Sequence, residues 1–298
     1  MYGIRWAKMK VKYYRNVTDF LAEAGKYLVQ DEVRYGLILG LAKVVEDNPH
    51  RYGKNKPWFC SIGVGEEINA TAMRTPPHQV ILAHFSGDIE AIAGELVTAV
   101  SNDFKVIPGV VGDKALADTF AERWCEKCGT KITNTMAQRI FRLDKVNDVP
   151  LSPGRFRTAT EADKELVVKW AHAFHLDTFG PNSNEPEADI TPGLSRRIIF
   201  LWEDGQPVSM AAKIRPTEGG MSVGYVYTPP ELRRRGYATS CVAELSRNIL
   251  QSGKEFCTLY ADLSNPTSNS IYKKIGYREV CDSVQHMFEM PAGISTSP

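Results

Sequence analysis

The chain has 298 residues, 43% of them hydrophobic and 24% charged, which is enough apolar sequence for two cores. Its 36 basic and 35 acidic side chains leave a formal net charge of +1, which argues against a broad nucleic-acid or membrane surface. No apolar run is long enough to span a bilayer, and residues 1–8 lack the apolar core of a signal peptide. Lys10 to Tyr14 alternates as a short strand, and Thr18 can cap a helix carrying Phe20, Leu21, Ala24, Tyr27 and Leu28. Asp31 can cap a second helix, which Asn48-Pro49 ends. Trp58 to Val64, Ile68 to Met73 and Val80 to His84 read as an antiparallel meander. A helix at Ile89 to Val100, a strand near Lys105 to Pro108, a helix at Lys114 to Cys128 and a strand at Thr135 to Leu143 follow.

The polar, proline-rich residues 147–154 read as a linker. Beyond it the order restarts. Phe156 to Ala159 is a strand, Thr160 caps a helix through about Phe174, and a hairpin turns at Asp204-Gly205. The boundaries drawn from sequence are therefore 1–146, a linker 147–154, 155–290 and a frayed tail 291–298. Each half begins strand, helix, antiparallel strands and then alternates strand with helix, a repeat of α/β architecture and not of residues.

Val223 to Tyr227 is an apolar strand that Pro229-Pro230 stops; a basic, glycine-containing turn follows and feeds a helix at Thr239 to Leu250. Unpaired N–H groups and the helix dipole make such a turn an anion site. Gly236 permits close backbone approach and Ala238 keeps the first helical turn uncluttered. A phosphorylated ligand fits this position. A second segment ends a strand at Asn265, opens a helix at Pro266, places Tyr272 near its end and turns at Gly276-Tyr277.

Arg233-x-x-Gly236-x-Ala238 followed by Asn265, Tyr272 and Gly276-Tyr277 resembles the GNAT superfamily of acyl-CoA-dependent N-acyltransferases. The resemblance covers about residues 155–290 in motifs, and the first half only in architecture. The whole is similar to two-part acetyltransferases in which the C-terminal unit alone keeps the cofactor motifs. The fold it implies is a tandem GNAT-like α/β fold, with a mixed, mostly antiparallel sheet flanked by helices in each half. The activity it implies is acetyl transfer from acetyl-CoA to a primary amine by direct attack in a ternary complex, with no metal.

On that resemblance, the backbone of Arg235, Gly236, Ala238 and Thr239 cradles the pyrophosphate, with Arg233, Arg234 and Tyr237 in the same turn. Val226, Tyr227 and Thr228 pair with the pantetheine arm as an added strand. Asn265 and Ser268 hold that arm in a wedge between residues 225–228 and 260–263. Tyr272 protonates the leaving thiolate, and the N–H near Val226 serves the oxyanion. The base stays open among Asp262, His172, His175 and relayed water, since residues 221–228 carry no acid. Tyr225, His172 and His175 are candidates for the acceptor side, and the Asn-, Glu- and Pro-rich loop 177–194 for a lid or a plain surface loop. Cys125-x-x-Cys128 lacks further zinc ligands and lies at a predicted helix C-terminus, so it reads as structural. The six scattered cysteines read as reduced thiols, and the expected setting is cytoplasmic, as a monomer or homodimer acting on a small-molecule amine. A non-catalytic acyl-CoA sensor and a protein-lysine acetyltransferase are the alternatives.

Overall fold

The computed structural model describes residues 9–51, 55–180 and 187–290, with 187–189 described by backbone only. The expected frayed tail and the segment 1–8 lie outside the described residues. The chain forms two compact units, residues 1–139 with 281–298, and residues 140–280. These are not the contiguous halves drawn from sequence, for two physical reasons. The proline-rich stretch is not a free tether: Val149 is buried in the second unit's core, Asn147 N–H donates to the Ile275 carbonyl (2.8 Å), and Trp202 Nε1 donates to the Pro153 carbonyl (2.9 Å). The last strand, moreover, carries residues 281–288 back into the first unit's sheet.

The first unit runs β1 (Lys10–Tyr14), α1 (Val17–Leu28), α2 (Gly36–Asp47), β2 (Trp58–Val64), β3 (Glu67–Arg74), β4 (Val80–Phe85), α3 (Ile89–Asp103), β5 (Gly109–Asp113), α4 (Lys114–Cys128) and β6 (Ile132–Leu143), whose end passes into the second unit. Its sheet order is β1-β2-β3-β4-β5, then residues 281–288, then residues 132–139. The meander β2-β3-β4 is antiparallel; β4 and β5 are parallel and so need the crossover that α3 supplies. Side chains alternate between faces: Val80 and Leu82 join the core under α3 and α4, while Ile81 and Ala83 join the core under α1 and α2. A strand buried on both faces reads in sequence as the unbroken apolar run it is.

Three local expectations are corrected. Asn16, not Thr18, caps α1: its extended backbone (φ −153°) lets its side chain accept the Asp19 N–H at 2.8 Å. Asn16→Ala should therefore cost about 1 kcal/mol in denaturant unfolding and Thr18→Ala only a few tenths. Asp31 holds the Arg34 N–H (3.0 Å) at the end of a short 3-10 turn, and α2 starts later, at Gly36. The strand expected at 105–108 lies at Gly109–Asp113. Its glycines disguised it, yet the packing requires them. A Cβ on Gly109 would stand 2.3 Å from the His286 carbonyl, and one on Gly112 2.6 Å from that of Leu82.

The second unit runs β7 (Arg155–Thr158), α5 (Lys164–Phe179), α6 (Glu187–Ser195), β8 (Ile199–Asp204), β9 (Gln206–Pro216), β10 (Gly220–Tyr227), α7 (Tyr237–Gln251), β11 (Phe256–Asp262), α8 (Pro266–Ile275) and β12 (Arg278–Phe288). Residues 140–143 of β6, then β11-β10-β9-β8-β7, give its sheet order. Trp202, Val208, Val223 and Leu259 pack under α7 and α8; Leu201, Met210 and Tyr227 pack under α5 and α6. Thr160 and Asp163 form a reciprocal cap on the short 3-10 turn Glu161–Asp163 that runs into α5. The expected loop 177–194 is partly helical: α5 continues to Phe179, and α6 buries Ile190 and Leu194 one turn apart. Residues 181–186 of that loop lie outside the described residues, so the lid expectation rests there.

The two units also repeat a detail. His84 in β4 (φ 43°) and Tyr225 in β10 (φ 50°) sit in left-handed backbone where each strand slips one residue against its antiparallel neighbour. Each ring packs on the unit's first long helix, His84 tilted against Tyr27 (5.1 Å) and Tyr225 stacked on His175 (5.6 Å).

Candidate functional site

In the second unit β10 pairs with β11 only at Gly220↔Phe256, Met221↔Cys257 and Ser222↔Thr258, with a hydroxyl–hydroxyl bond of 2.7 Å at the last pair. Beyond it the two strands have no further registered pairs, although β10 stays bonded to β9. At Val226 and Tyr227 the edge that faces β11 has no registered pair with it among the described residues. The backbone near the end of β10 is held firmly. Ser209 Oγ donates to the Tyr227 carbonyl (3.0 Å) and accepts from Thr228 Oγ1 (2.9 Å). Val226 packs partly buried against the core under α7 and α8.

Pro229-Pro230 ends the strand, and a short 3-10 turn leads to Arg233. Arg234 (φ 64°) and Gly236 (φ 82°) then adopt left-handed backbone, and α7 begins at Tyr237 with no side-chain cap. Arg233 to Gly236 are exposed, whereas Tyr237 and Thr239 are buried. Tyr237 anchors the helix start by donating its hydroxyl to Asp204 Oδ2 (2.7 Å). Ser152, in the stretch read as linker, donates its hydroxyl to the Arg235 carbonyl (2.8 Å) and its N–H to Ser240 Oγ (2.8 Å). A Cβ on Gly236 would stand 2.6 Å from Ser152 Oγ. The first N–H groups of α7 thus receive no side-chain cap and lie beside two exposed cations, Arg234 and Arg235, which is the composition of an anion site. The first unit differs at the corresponding helix. There the Asp88 carboxylate itself accepts the N–H groups of Glu90 (3.0 Å) and Ala91 (3.3 Å) at the start of α3.

Past β11 the predicted side chains take local roles. Asp262 Oδ1 accepts the Ser264 N–H (2.7 Å). Asn265 caps α8 through the Ser268 N–H (3.1 Å). Asn269 Nδ2 donates to the carbonyls of Asp262 (2.9 Å) and Asn265 (2.8 Å), and its buried Oδ1 has no partner among the described residues. Tyr272 is 8% exposed, with its ring 6.2 Å from Phe141 and 6.0 Å from Tyr277. Burial pushes its phenol up to about 12, so it is neutral at ordinary pH. Its hydroxyl has no hydrogen-bond partner among the described residues.

On the other side of β10, the last turn of α5 brings His175 and Phe174 (5.4 Å) onto Tyr225. His172 is exposed and outside this ring cluster. Arg233 turns toward the same helix: Nη2 donates to Asp177 Oδ2 (2.7 Å) and Nε to the Thr228 carbonyl (3.0 Å). The predicted residues therefore fall into four places, the end of β10 at residues 226–228, the turn 233–239, the segment from Asp262 through α8, and the Tyr225–His175 stack, with His172 apart from all four. Sequence reasoning missed Ser152, Asp177 and Asn269. Only Asn269 had a signal, its position one helical turn after Asn265. Trp124, Trp170 and Trp202 are core, as expected. The thiols of Cys125 and Cys128, near the C-terminal Gly129 cap of α4, are both raised by burial, the reverse of a reactive pair.

Comparison with solved structures gives the fold. A Drosophila protein aligns with TM-score 0.68 and 15% identity over 93% of this chain and 98% of its own. A GCN5-related N-acetyltransferase from Sphaerobacter thermophilus aligns at 0.62 and 16% identity, over 97% and 98% of the two chains. A tandem GNAT protein from the clavulanic acid biosynthesis pathway aligns at 0.50 and 10% identity, over 96% and 100%. No curated protein matches the sequence. The fold is that of GNAT acetyltransferases, with a large, mostly antiparallel sheet flanked by helices. Within it, residues 202–286, most of which lie in the second unit, match the FR47-like protein family. Among the described residues no helix is long and apolar enough to cross a membrane.

Proposed function

We propose that the second unit transfers the acetyl group of acetyl-CoA to a primary amine by direct attack, with no covalent enzyme intermediate. The observation that carries this reading is the uncapped start of α7, flanked by Gly236 and two exposed arginines, in the unit whose parallel strands part at Ser222 and Thr258. A pyrophosphate suits the first feature and a narrow pantetheine arm the second. The N–H groups of residues 235–239 would hold the phosphates, with Arg234 and Arg235 adding charge. The unpaired edge of β10 at Val226 to Thr228 would bond the arm. The Thr228 carbonyl is already engaged by Arg233, so its N–H is the group left for the purpose. Asn265 and Ser268 stand at the start of α8, where Asn269 offers a further acceptor through its unpartnered Oδ1.

The donor, when bound, supplies an activated thioester. The chain's own residues exclude water, orient the amine and move protons. Tyr272, neutral and without a hydrogen-bond partner among the described residues, would give its proton to the departing sulfur. Asp262 is weakened as base, because one carboxylate oxygen is committed to the turn after β11. His175 stands against Tyr225 on the acceptor side and takes over as the better candidate of the two. All six cysteines are free thiols, which accords with a reducing, cytoplasmic setting.

The test is release of CoA thiol from acetyl-CoA across a panel of monoamines, polyamines, aminosugars and lysine peptides, together with calorimetric binding of CoA. Turnover on a small amine supports the proposal. Turnover on lysine peptides alone would make the chain a protein acetyltransferase. CoA binding without turnover on any amine would make it a sensor.

A further inference from the structure

Three consecutive arginines open the turn, and they do not share one job. Arg234 and Arg235 are exposed; Arg235 donates to the Glu231 carbonyl (3.4 Å) and lies beside the Tyr237 hydroxyl. Arg233 is directed instead to the acceptor side. Its guanidinium bonds Asp177 in the last turn of α5 (2.7 Å) and the Thr228 carbonyl just after β10 (3.0 Å), and it stands 5.9 Å from the centre of the Tyr227 ring. The same helical turn lays Phe174 and His175 on Tyr225. The end of α5 is thereby fixed to β10 at two points, by stacked rings at the bulge and by Arg233 beyond the strand.

We infer that Arg233 and Asp177 form a positioning clasp between the phosphate turn and the acceptor-side helix, and that Arg233 does not hold the donor. The inference rests on the acetyl-transfer reading and reassigns one residue of its motif. The guanidinium charge is already matched by a carboxylate, which lowers what it can offer a pyrophosphate. Its planar fork is spent on one carboxylate and one carbonyl in different elements, the geometry in which arginine fixes orientation. The two side chains are half exposed, 48% and 50%, so their Coulomb attraction alone is small. What the clasp supplies is direction: it sets where the last turn of α5 lies, and with it where Tyr225 and His175 meet the acceptor.

The experiment uses the full chain, acetyl-CoA and whichever panel amine turns over fastest. Arg233→Ala and Asp177→Ala are each expected to raise the acceptor KM about three- to tenfold, the span of a charge-assisted bond weakened by solvent. The CoA Kd should stay within about twofold in both. The double variant should be no worse than Arg233→Ala alone, because that substitution already removes the bond to Asp177. Arg234→Ala should do the reverse, raising the CoA Kd and sparing the acceptor KM. The wild-type acceptor KM should also rise with ionic strength more steeply than that of the double variant. A CoA Kd raised as much by Arg233→Ala as by Arg234→Ala, or additive losses in the double variant, would overturn the clasp. Should the wild type bind no CoA and turn over no amine, the acetyl-transfer reading fails on its own. The clasp is then read by amide exchange over residues 171–179, where equal acceleration in both variants supports it and unchanged exchange refutes it.

Discussion

Gly236→Glu is expected to abolish acetyl-CoA binding, raising Kd at least about 100-fold, the loss of two charge-assisted bonds at about 1.5 kcal/mol each. Two separate effects act at this position. The backbone has φ 82°, where any side chain is strained, and a Cβ would stand 2.6 Å from Ser152 Oγ. A glutamate also carries its negative charge to the N-terminus of α7, beside the N–H groups the phosphates need. Gly236→Ala separates the two. It keeps the strain, about 1–2 kcal/mol of stability, without the charge. Calorimetry with CoA should find the alanine variant weakened modestly and the glutamate variant inert. Equal losses in the two would mean that the turn matters for its shape alone, and an unchanged Kd in the glutamate variant would remove the phosphates from α7.

Tyr272→Phe is expected to lower kcat about 100-fold, the lower end of what a positioned general acid contributes, while the CoA Kd stays within about twofold. The substitution is unusually clean, because the Tyr272 hydroxyl has no hydrogen-bond partner among the described residues and the ring packing against Phe141 and Tyr277 is kept. A purely structural tyrosine predicts no kinetic change at all. The pH dependence follows from burial, which raises the phenol from 10.0 to about 12. The acid form is then present throughout the neutral and mildly alkaline range, so the wild-type kcat profile should show no falling limb below about pH 10. Stability takes the same sign. A group whose folded pKa is raised contributes fully below its unfolded value of 10.0 and loses that contribution as pH rises toward 12. Thermal unfolding of the phenylalanine variant should accordingly be less sensitive to pH between those limits.

Much of this architecture was legible because its signals are local. The bounds of α4, Lys114–Cys128, follow from one amphipathic run, and the hairpin at Gly205 from one turn. The turn at Gly236 was legible for the same reason: strand, proline stop, glycine and helix lie within twenty residues of one another. What stayed hidden depends on chain segments far apart. Nothing near Ser152 announces that it will brace a turn more than eighty residues later. Asp177 is one acid among many on a helix surface until Arg233, 56 residues on, is seen to reach it. The passage of β12 from one unit to the other is decided by which sheet edge its residues 281–288 can satisfy, a matter of pairing and not of propensity. The strand at Gly109–Asp113 was misplaced because close backbone approach demanded glycines where strand propensity asks for branched residues.

The Asp88 cap on α3 has a consequence for the division of labour within the chain. A carboxylate on the residue that begins the helix is a tethered ligand, already bonded to the N–H groups that a free phosphate would use. The first unit therefore carries its anion with it: its helix start is complete at the moment of folding, and Glu90 in the same turn adds a second negative charge against any competitor. The second unit has glycine in that place, so under the acetyl-CoA proposal its helix start would take its anion from outside. On the proposed reading, one side chain separates a helix start closed by its own chain from one that takes a phosphate.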